Sequence, residues 1–199
     1  MKRILVILCS PRRDGFTEFL ADGFLKGATQ AGAEVRKISV RGKKLLPCRH
    51  CCYCGEHGGQ CAIQDDYEEF RTAMDWADLI AFASPLYFWT ISAQMKIIID
   101  RMFAAGIVNS WKYPYKEAML LMTCGENADF AFDQPYSDYR NMLERSLGWE
   151  DRGYFFLAGT DIDPRETGIW EEAVAFGRTA PFALGLTGRS VNLFRIEKK

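Results

Sequence analysis

The sequence predicts an α/β fold built on an open, doubly wound parallel sheet, and three observations carry that prediction. Continuous apolar runs, of the kind buried on both faces of a sheet, alternate with stretches of helical periodicity. The alternation occurs five times along the chain. No repeat, low-complexity segment or long linker divides it, so a single domain over 1–199 is expected. Right-handed crossovers leave few topologies for five such strands and favour the order 2-1-3-4-5.

The first strand is Ile4-Leu5-Val6-Ile7-Leu8, apolar throughout. Beyond the turn SPRRDG, Phe19, Leu20, Phe24, Leu25 and Ala28 recur at helical spacing until Gly32 ends the pattern. Residues 34–40 read as the second strand. Residues 41–66 read as an irregular, cysteine-rich insertion. A helix is expected over 67–76 and the third strand over 78–84. A helix over 92–105 carries Met95, Ile98, Ile99 and Met102 on one face. The fourth strand covers 117–124, a helix 137–147, the fifth strand 153–159 and a last helix 168–184.

Bulk properties exclude several classes. Hydrophobic residues make up 48% and charged residues 26%, values of an ordinary globular protein rather than a disordered one. A net charge of -1 gives no nucleic-acid or acidic-membrane footprint. The short basic run Arg41, Lys43, Lys44 reads as a solvated loop. The apolar run after Met1-Lys2-Arg3 is too short for a signal peptide, and no stretch approaches a membrane span. A cytoplasmic setting is therefore expected, in which seven cysteines stay reduced rather than forming a disulfide framework.

In a sheet of this order a ligand sits beyond the carboxyl ends of the strands, where strands 1 and 3 diverge. Three loops reach that point. Ser10-Pro11-Arg12-Arg13-Asp14-Gly15-Phe16-Thr17 joins a buried strand to a helix start, and unpaired N–H groups there suit a phosphate. Ser10 and Thr17 add hydroxyls, Arg12 or Arg13 a charged fork, and Gly15 a permissive turn. A plain turn with Thr17 as helix cap fits the same residues. The second loop, Pro85-Leu86-Tyr87-Phe88-Trp89, sets three successive aromatics at a strand end. A wall for a flat heterocycle and a dimer patch both account for it. The third loop is 124–136.

Taken together, these stretches resemble the flavodoxin-like, NAD(P)H-dependent FMN reductases, including the iron-sulfur flavoproteins. The carriers are Ser10-Pro11-Arg12 with Gly15 and Thr17, Pro47-Cys48, Cys61 with Asp65-Asp66, Ala83-Ser84-Pro85-Leu86-Tyr87, and Lys96-Ile97-Ile98-Ile99-Asp100-Arg101. The resemblance implies a flavodoxin-like FMN-binding domain. Ser10, Arg12, Gly15, Phe16 and Thr17 would surround the FMN phosphate. Pro85, Leu86, Tyr87, Phe88 and Trp89 would wrap the ribityl chain and ring, and Thr123, Cys124 and Gly125 would approach the ring from a third side. Two positions depart from the family pattern. Cys9 stands where Gly is usual, and Phe16, which has no side-chain donor, stands where Asn is usual. Asp100 and Arg101 read as a local pair or a helix anchor.

Cys48, Cys51, Cys54 and Cys61 follow C-x2-C-x2-C-x6-C, with Cys52 out of phase. Four thiolates suit zinc or a [4Fe-4S] cluster, and this compact spacing leans toward iron-sulfur ligation. It also resembles the cysteine motif of the iron-sulfur flavoproteins. His50 and His57 lie near but are left out of that set.

The expected function is FMN-dependent NAD(P)H oxidoreduction, with a flavin, quinone, nitro or azo compound or a protein as acceptor. No side chain needs to act as a catalytic acid or base, because hydride moves directly between nicotinamide and flavin. A homodimer or homotetramer is expected from the aromatic loop. The rival readings are a non-enzymatic FMN or Fe-S electron carrier and a zinc or thiol redox sensor on the same scaffold.

Overall fold

The computed structural model describes residues 1–195, and among them seven strands form one sheet. These are β1 (Arg3–Leu8), β2 (Glu34–Ser39), β3 (Leu79–Tyr87), β4 (Thr90–Ile91), β5 (Glu117–Thr123), β6 (Glu150–Ala158) and β7 (Thr187–Asn192). The order is β2-β1-β3-β5-β6-β7, all parallel, with β4 folding back antiparallel on the end of β3. The helices are α1 (Phe16–Gln30), α2 (Tyr53–Glu56), α3 (Tyr67–Trp76), α4 (Ala93–Arg101), α5 (Phe103–Val108), α6 (Asp133–Asn141) and α7 (Ile169–Thr179).

Seven strands correct the expected five. The five expected segments are β1, β2, β3, β5 and β6, and they stand in the expected relative order; β4 and β7 are additions. β7 reads TGRSVN and buries one side chain, Val191, because it is an edge strand. Such a strand needs neither an apolar run nor a clear alternation. β4 is two residues long, too short to carry a period.

Side chains alternate across the sheet into two cores. Ile4, Val6 and Leu8 of β1 pack with Leu20 and Phe24 of α1 and Ile169 and Ala173 of α7. Leu5 and Ile7 pack on the other face, with Phe70 and Met74 of α3, Met95 and Ile98 of α4, and Tyr139 of α6. α1 and α7 approach until only glycine fits between them. A Cβ on Gly27 would lie 2.0 Å from the Val174 carbonyl oxygen, and one on Gly177 1.9 Å from that of Phe24.

The expected helix ends shift for local reasons. The helix expected over 137–147 begins at Asp133, with Pro135 in its first turn, where a missing N–H costs nothing. It continues as a π-helical turn, Met142–Leu147, and stops at Gly148, φ 63. The helix expected over 92–105 divides at Met102 into α4 and α5. The last helix ends at Thr179, before Pro181. Residues 41–66 hold α2 and are otherwise irregular.

Candidate active site

The carboxyl ends of β1, β3 and β5 open into three loops, and side-chain contacts hold them together. The Ser92 hydroxyl donates to the Cys9 carbonyl at 2.9 Å, and the Ser92 N–H donates to the Ser84 hydroxyl at 3.0 Å. Both serines are fully buried. The Met95 N–H donates to the Ser92 hydroxyl at 3.3 Å, which caps α4 and fixes its start at this junction. Thr17 and Thr123 share a hydrogen bond of 2.7 Å between buried hydroxyls, tying the first loop to the third. Trp89 lies flat on Phe130, ring centres 5.6 Å apart and planes 8° apart, tying the second loop to the third.

The first loop differs from the expected turn in two respects. Thr17 is not the cap of α1; it is the second residue of the helix, and its hydroxyl is engaged with Thr123. No side chain caps α1, whose N-cap is Gly15, so the first-turn N–H groups are left open to a ligand. The left-handed conformation also falls elsewhere than expected. Asp14 takes it, at φ 53, while Gly15 has φ -79, open to any residue. Nor does space demand glycine at Gly15: a Cβ would meet Arg12 Cβ at 3.4 Å and the Ser10 hydroxyl at 3.6 Å, ordinary contact distances. Ser10 is buried, and its hydroxyl accepts from the Arg12 N–H at 3.4 Å.

Two further arginines close on this loop, neither marked in the sequence as part of it. Arg41 donates to the Arg12 carbonyl at 3.2 Å and to Glu18 at 2.9 Å. Arg165 donates to the Asp14 carbonyl at 2.6 Å, and its guanidinium lies 5.0 Å from the centre of the Phe16 ring. With Arg12 and Arg13 exposed beside them, four arginines surround the uncapped helix end, two of them paired with Glu18 and Asp163. The open N–H groups and the guanidinium donors fit a phosphate monoester.

The second loop is a two-residue hairpin. Leu86 pairs with Ile91 and Tyr87 with Thr90, leaving Phe88 and Trp89 as the turn. Their φ values are 47 and 63, the geometry that normally recruits Asn-Gly. Pro85 is buried in β3 and Leu86 is partly so, whereas Tyr87, Phe88 and Trp89 are 39%, 101% and 48% exposed. In the third loop Cys124 is buried, and burial pushes its thiol up to about 11, which makes it a poor nucleophile. A Cβ on Gly125 would lie 2.9 Å from Asp161 Oδ1, so glycine fits this approach best.

The cysteine segment gathers a second group of side chains. Cys48, Cys51, Cys52, Cys54 and Cys61 line one cavity with His50, Phe103 and Arg101. All are free thiols. The buried Cys54 thiol is raised, first by burial and then by the charges of Cys61, Cys48 and Cys51. The out-of-phase Cys52 is exposed, left-handed at φ 57, and turned to the His50 carbonyl. The histidines have other partners: His57 bonds the Tyr53 carbonyl and His50 packs on Phe103. Among the described residues no three His, Cys, Asp or Glu side chains converge as ligands of a single metal ion. The donor set fits a thiolate-bound cluster, but the cavity measures about 20 Å3. That is room for little more than a water, and a cluster would need this lining to open.

Arg101 does not pair with its neighbour Asp100. Asp100 pairs with Lys96 at 2.5 Å, whereas Arg101 reaches Asp65 at 2.9 Å and the Leu46 carbonyl at 2.9 Å, on either side of the cysteine segment. No helix among the described residues is long and apolar enough to cross a membrane.

An iron-sulfur flavoprotein of Archaeoglobus fulgidus is 30% identical over 162 residues, 81% of this chain and 70% of that protein. A second from the same organism is 42% identical over 98 residues, and one from Methanocaldococcus jannaschii is 39% identical over 99. The chain spans about half the length of these two, 49% and 51%. The fold is that of an NAD(P)H:quinone oxidoreductase from Methanothermobacter marburgensis, with a TM-score of 0.66, 18% identity, and coverage of 89% of this chain and 96% of that one. It is also that of an FMN-dependent NADH-azoreductase from Bacillus anthracis in complex with FMN, with a TM-score of 0.61, 16% identity, and coverage of 89% and 98%. The family described as NADPH-dependent FMN reductase matches residues 2–134, more than half of the sequence, and the chain belongs to that family of oxidoreductases.

Proposed function

We propose that this chain, as a single domain, binds FMN at the carboxyl ends of β1, β3 and β5 and oxidises NAD(P)H there for a small-molecule or protein acceptor. The observation that carries the reading is the uncapped start of α1 at the point where β1 and β3 diverge, tied to the other two loops by Ser92 and Thr17. Ser10, Arg12, Gly15, Phe16 and Thr17 surround the phosphate in this reading, which the α1 N–H groups receive. Pro85, Leu86, Tyr87, Phe88 and Trp89 line the ribityl chain and ring, and Thr123, Cys124 and Gly125 close the third side. FMN, when bound, supplies hydride acceptance from the nicotinamide and release of electrons to the acceptor.

The chain's own task is placement. The buried Ser84-Ser92 pair fixes the β3 end against β1, and the Trp89-Phe130 stack sets an apolar wall where a planar acceptor, of quinone, nitro or azo type, can lie. The exposed aromatic face of Tyr87 and Phe88 is assigned to a homodimer or homotetramer contact. The setting is cytoplasmic in this reading.

A second centre is part of the proposal. Cys48, Cys51, Cys54 and Cys61 hold a [4Fe-4S] cluster, a store for single electrons, which makes the chain an iron-sulfur flavoprotein. The closeness of Cys48, Cys51 and Cys61 to Cys54, with which they line one cavity, supports the assignment. The test is a visible spectrum with iron and zinc analysis on protein purified without oxygen, followed by NADPH oxidation with a quinone. One flavin per chain, about four irons and acceptor-dependent NADPH oxidation are expected. Flavin and iron without NADPH turnover would mean an electron carrier, and zinc without flavin a thiol sensor.

A further inference from the structure

Phe16, the first residue of α1, has no side-chain donor, and the fold brings an arginine onto its ring from 149 residues along the chain. Arg165 lies outside the stretch that matches the family. It sits in a short 3-10 turn, Pro164–Glu166, whose start is fixed by the Asp163 carboxylate accepting the Arg165 N–H at 2.9 Å. The same carboxylate holds the Arg165 guanidinium at 3.2 Å. From that base the guanidinium reaches the Asp14 carbonyl at 2.6 Å, one residue before the N-cap of α1, and covers the Phe16 ring.

Its position is therefore set by three separate contacts: an ion pair, a carbonyl and an aromatic face. These contacts use Nη1 and Nη2, and the half-exposed guanidinium has further N–H donors. A guanidinium is the side chain best suited to receive phosphate oxygens by a fork. Phe16 gives no hydrogen bond, but its ring is the surface on which that cation rests.

We propose that Arg165 is a phosphate-recognition residue of the FMN site, taking from the far side of the chain the place of the donor that Phe16 lacks. The inference rests on the assignment of the first loop to the FMN phosphate. It makes the Phe16-Arg165 pair a unit: the ring positions the cation, and the cation distinguishes a phosphorylated flavin from riboflavin.

The experiment compares FMN with riboflavin, which share the ring and ribityl chain and differ only in the phosphate. Binding is followed by flavin fluorescence in the cofactor-free protein, wild type, Arg165→Met and Arg165→Lys, with circular dichroism as the check of fold. Wild type is expected to prefer FMN. Arg165→Met is expected to weaken FMN about tenfold or more, the loss of one charge-assisted hydrogen bond, with riboflavin unchanged. Arg165→Lys is expected to recover part of that, with a steeper dependence on salt. Equal weakening of FMN and riboflavin would show that Arg165 only braces the loop, and full retention of FMN preference in Arg165→Met would show no role; either overturns the inference alone. Wild type binding both flavins equally would overturn the phosphate assignment itself, and this inference with it.

Discussion

Asp65 and Arg101 form a two-pronged ion pair, 2.9 and 3.2 Å, with both side chains out of contact with solvent. Asp65 also accepts the Leu46 N–H at 2.8 Å and the Tyr67 N–H at 3.2 Å, and Arg101 lies over the Tyr67 ring. The pair therefore closes the base of the cysteine segment, joining residue 46 to residue 65 and both to the end of α4. α4 is capped by Ser92, in the site junction, so one helix connects the three loops with the cysteine segment.

Removing one member leaves the other as an unpaired buried charge, which costs about 3–5 kcal/mol. Arg101→Met is expected to lose stability on that scale in urea unfolding. The double variant Asp65→Asn, Arg101→Met is expected to recover a large part, because neither charge is then stranded. Additive losses in the double variant would show that the two side chains act separately.

Much of this architecture is legible in the sequence, and what is not has a physical reason. β1 and β5 are buried on both faces and declare themselves as apolar runs; α3 begins and ends where its periodicity does. β7 is an edge strand with one buried side chain and offers no pattern. The three loops could be placed by topology, but their joints could not. Thr17 meets Thr123 across 106 residues, and Arg165 meets Asp14 across 151. Arg41 looked like part of a solvated basic run because its partners, Glu18 and the Arg12 carbonyl, come from another element. Local spacing says nothing about such pairs.

Acid should weaken the contacts that brace the first loop. The bond from Arg41, with Lys37 beside it, holds the Glu18 carboxyl down to about 2, against an ordinary value of 4.5. The folded-state value lies below the unfolded one, so between them the unfolded chain binds more protons. Glu18 thus contributes stability that is complete above about pH 4.5 and is lost as the pH falls toward 2. Asp65 acts in the same direction: burial alone would raise it, but Arg101 and the Leu46 and Tyr67 amides bring it below its ordinary value. Urea midpoints measured from roughly pH 6 down to roughly pH 2 should fall for wild type and fall less steeply for Glu18→Gln. Parallel curves would remove Glu18 from the account.

The cysteines should divide four to one. Serine at Cys48, Cys51, Cys54 or Cys61 is expected to abolish or strongly reduce iron content, whereas Cys52→Ser should retain it, since Cys52 is out of phase with the spacing and its thiol is directed to the His50 carbonyl. Iron and sulfide are measured on anaerobically purified variants with flavin content as the control. Iron lost equally from Cys52→Ser would break the assignment of the four ligands.

The hairpin at Phe88-Trp89 sets stability against function in one turn. Two bulky residues hold left-handed backbone, at roughly 1–2 kcal/mol each. The Trp89-Phe130 stack returns roughly 0.5–1.5 kcal/mol, less than the combined strain. Replacing the pair by Asn-Gly, the residues that the turn favours, is therefore expected to raise stability by roughly 1 kcal/mol or more. The same variant removes the aromatic wall proposed for the flavin ring, so its affinity for FMN should fall as it becomes more stable. Phe130→Leu provides the control: it deletes the stack without relieving the backbone, and should lower stability and flavin affinity together. If the Asn-Gly variant were less stable than wild type, the two aromatics would be there to hold the fold, and their strained backbone would carry no information about the site.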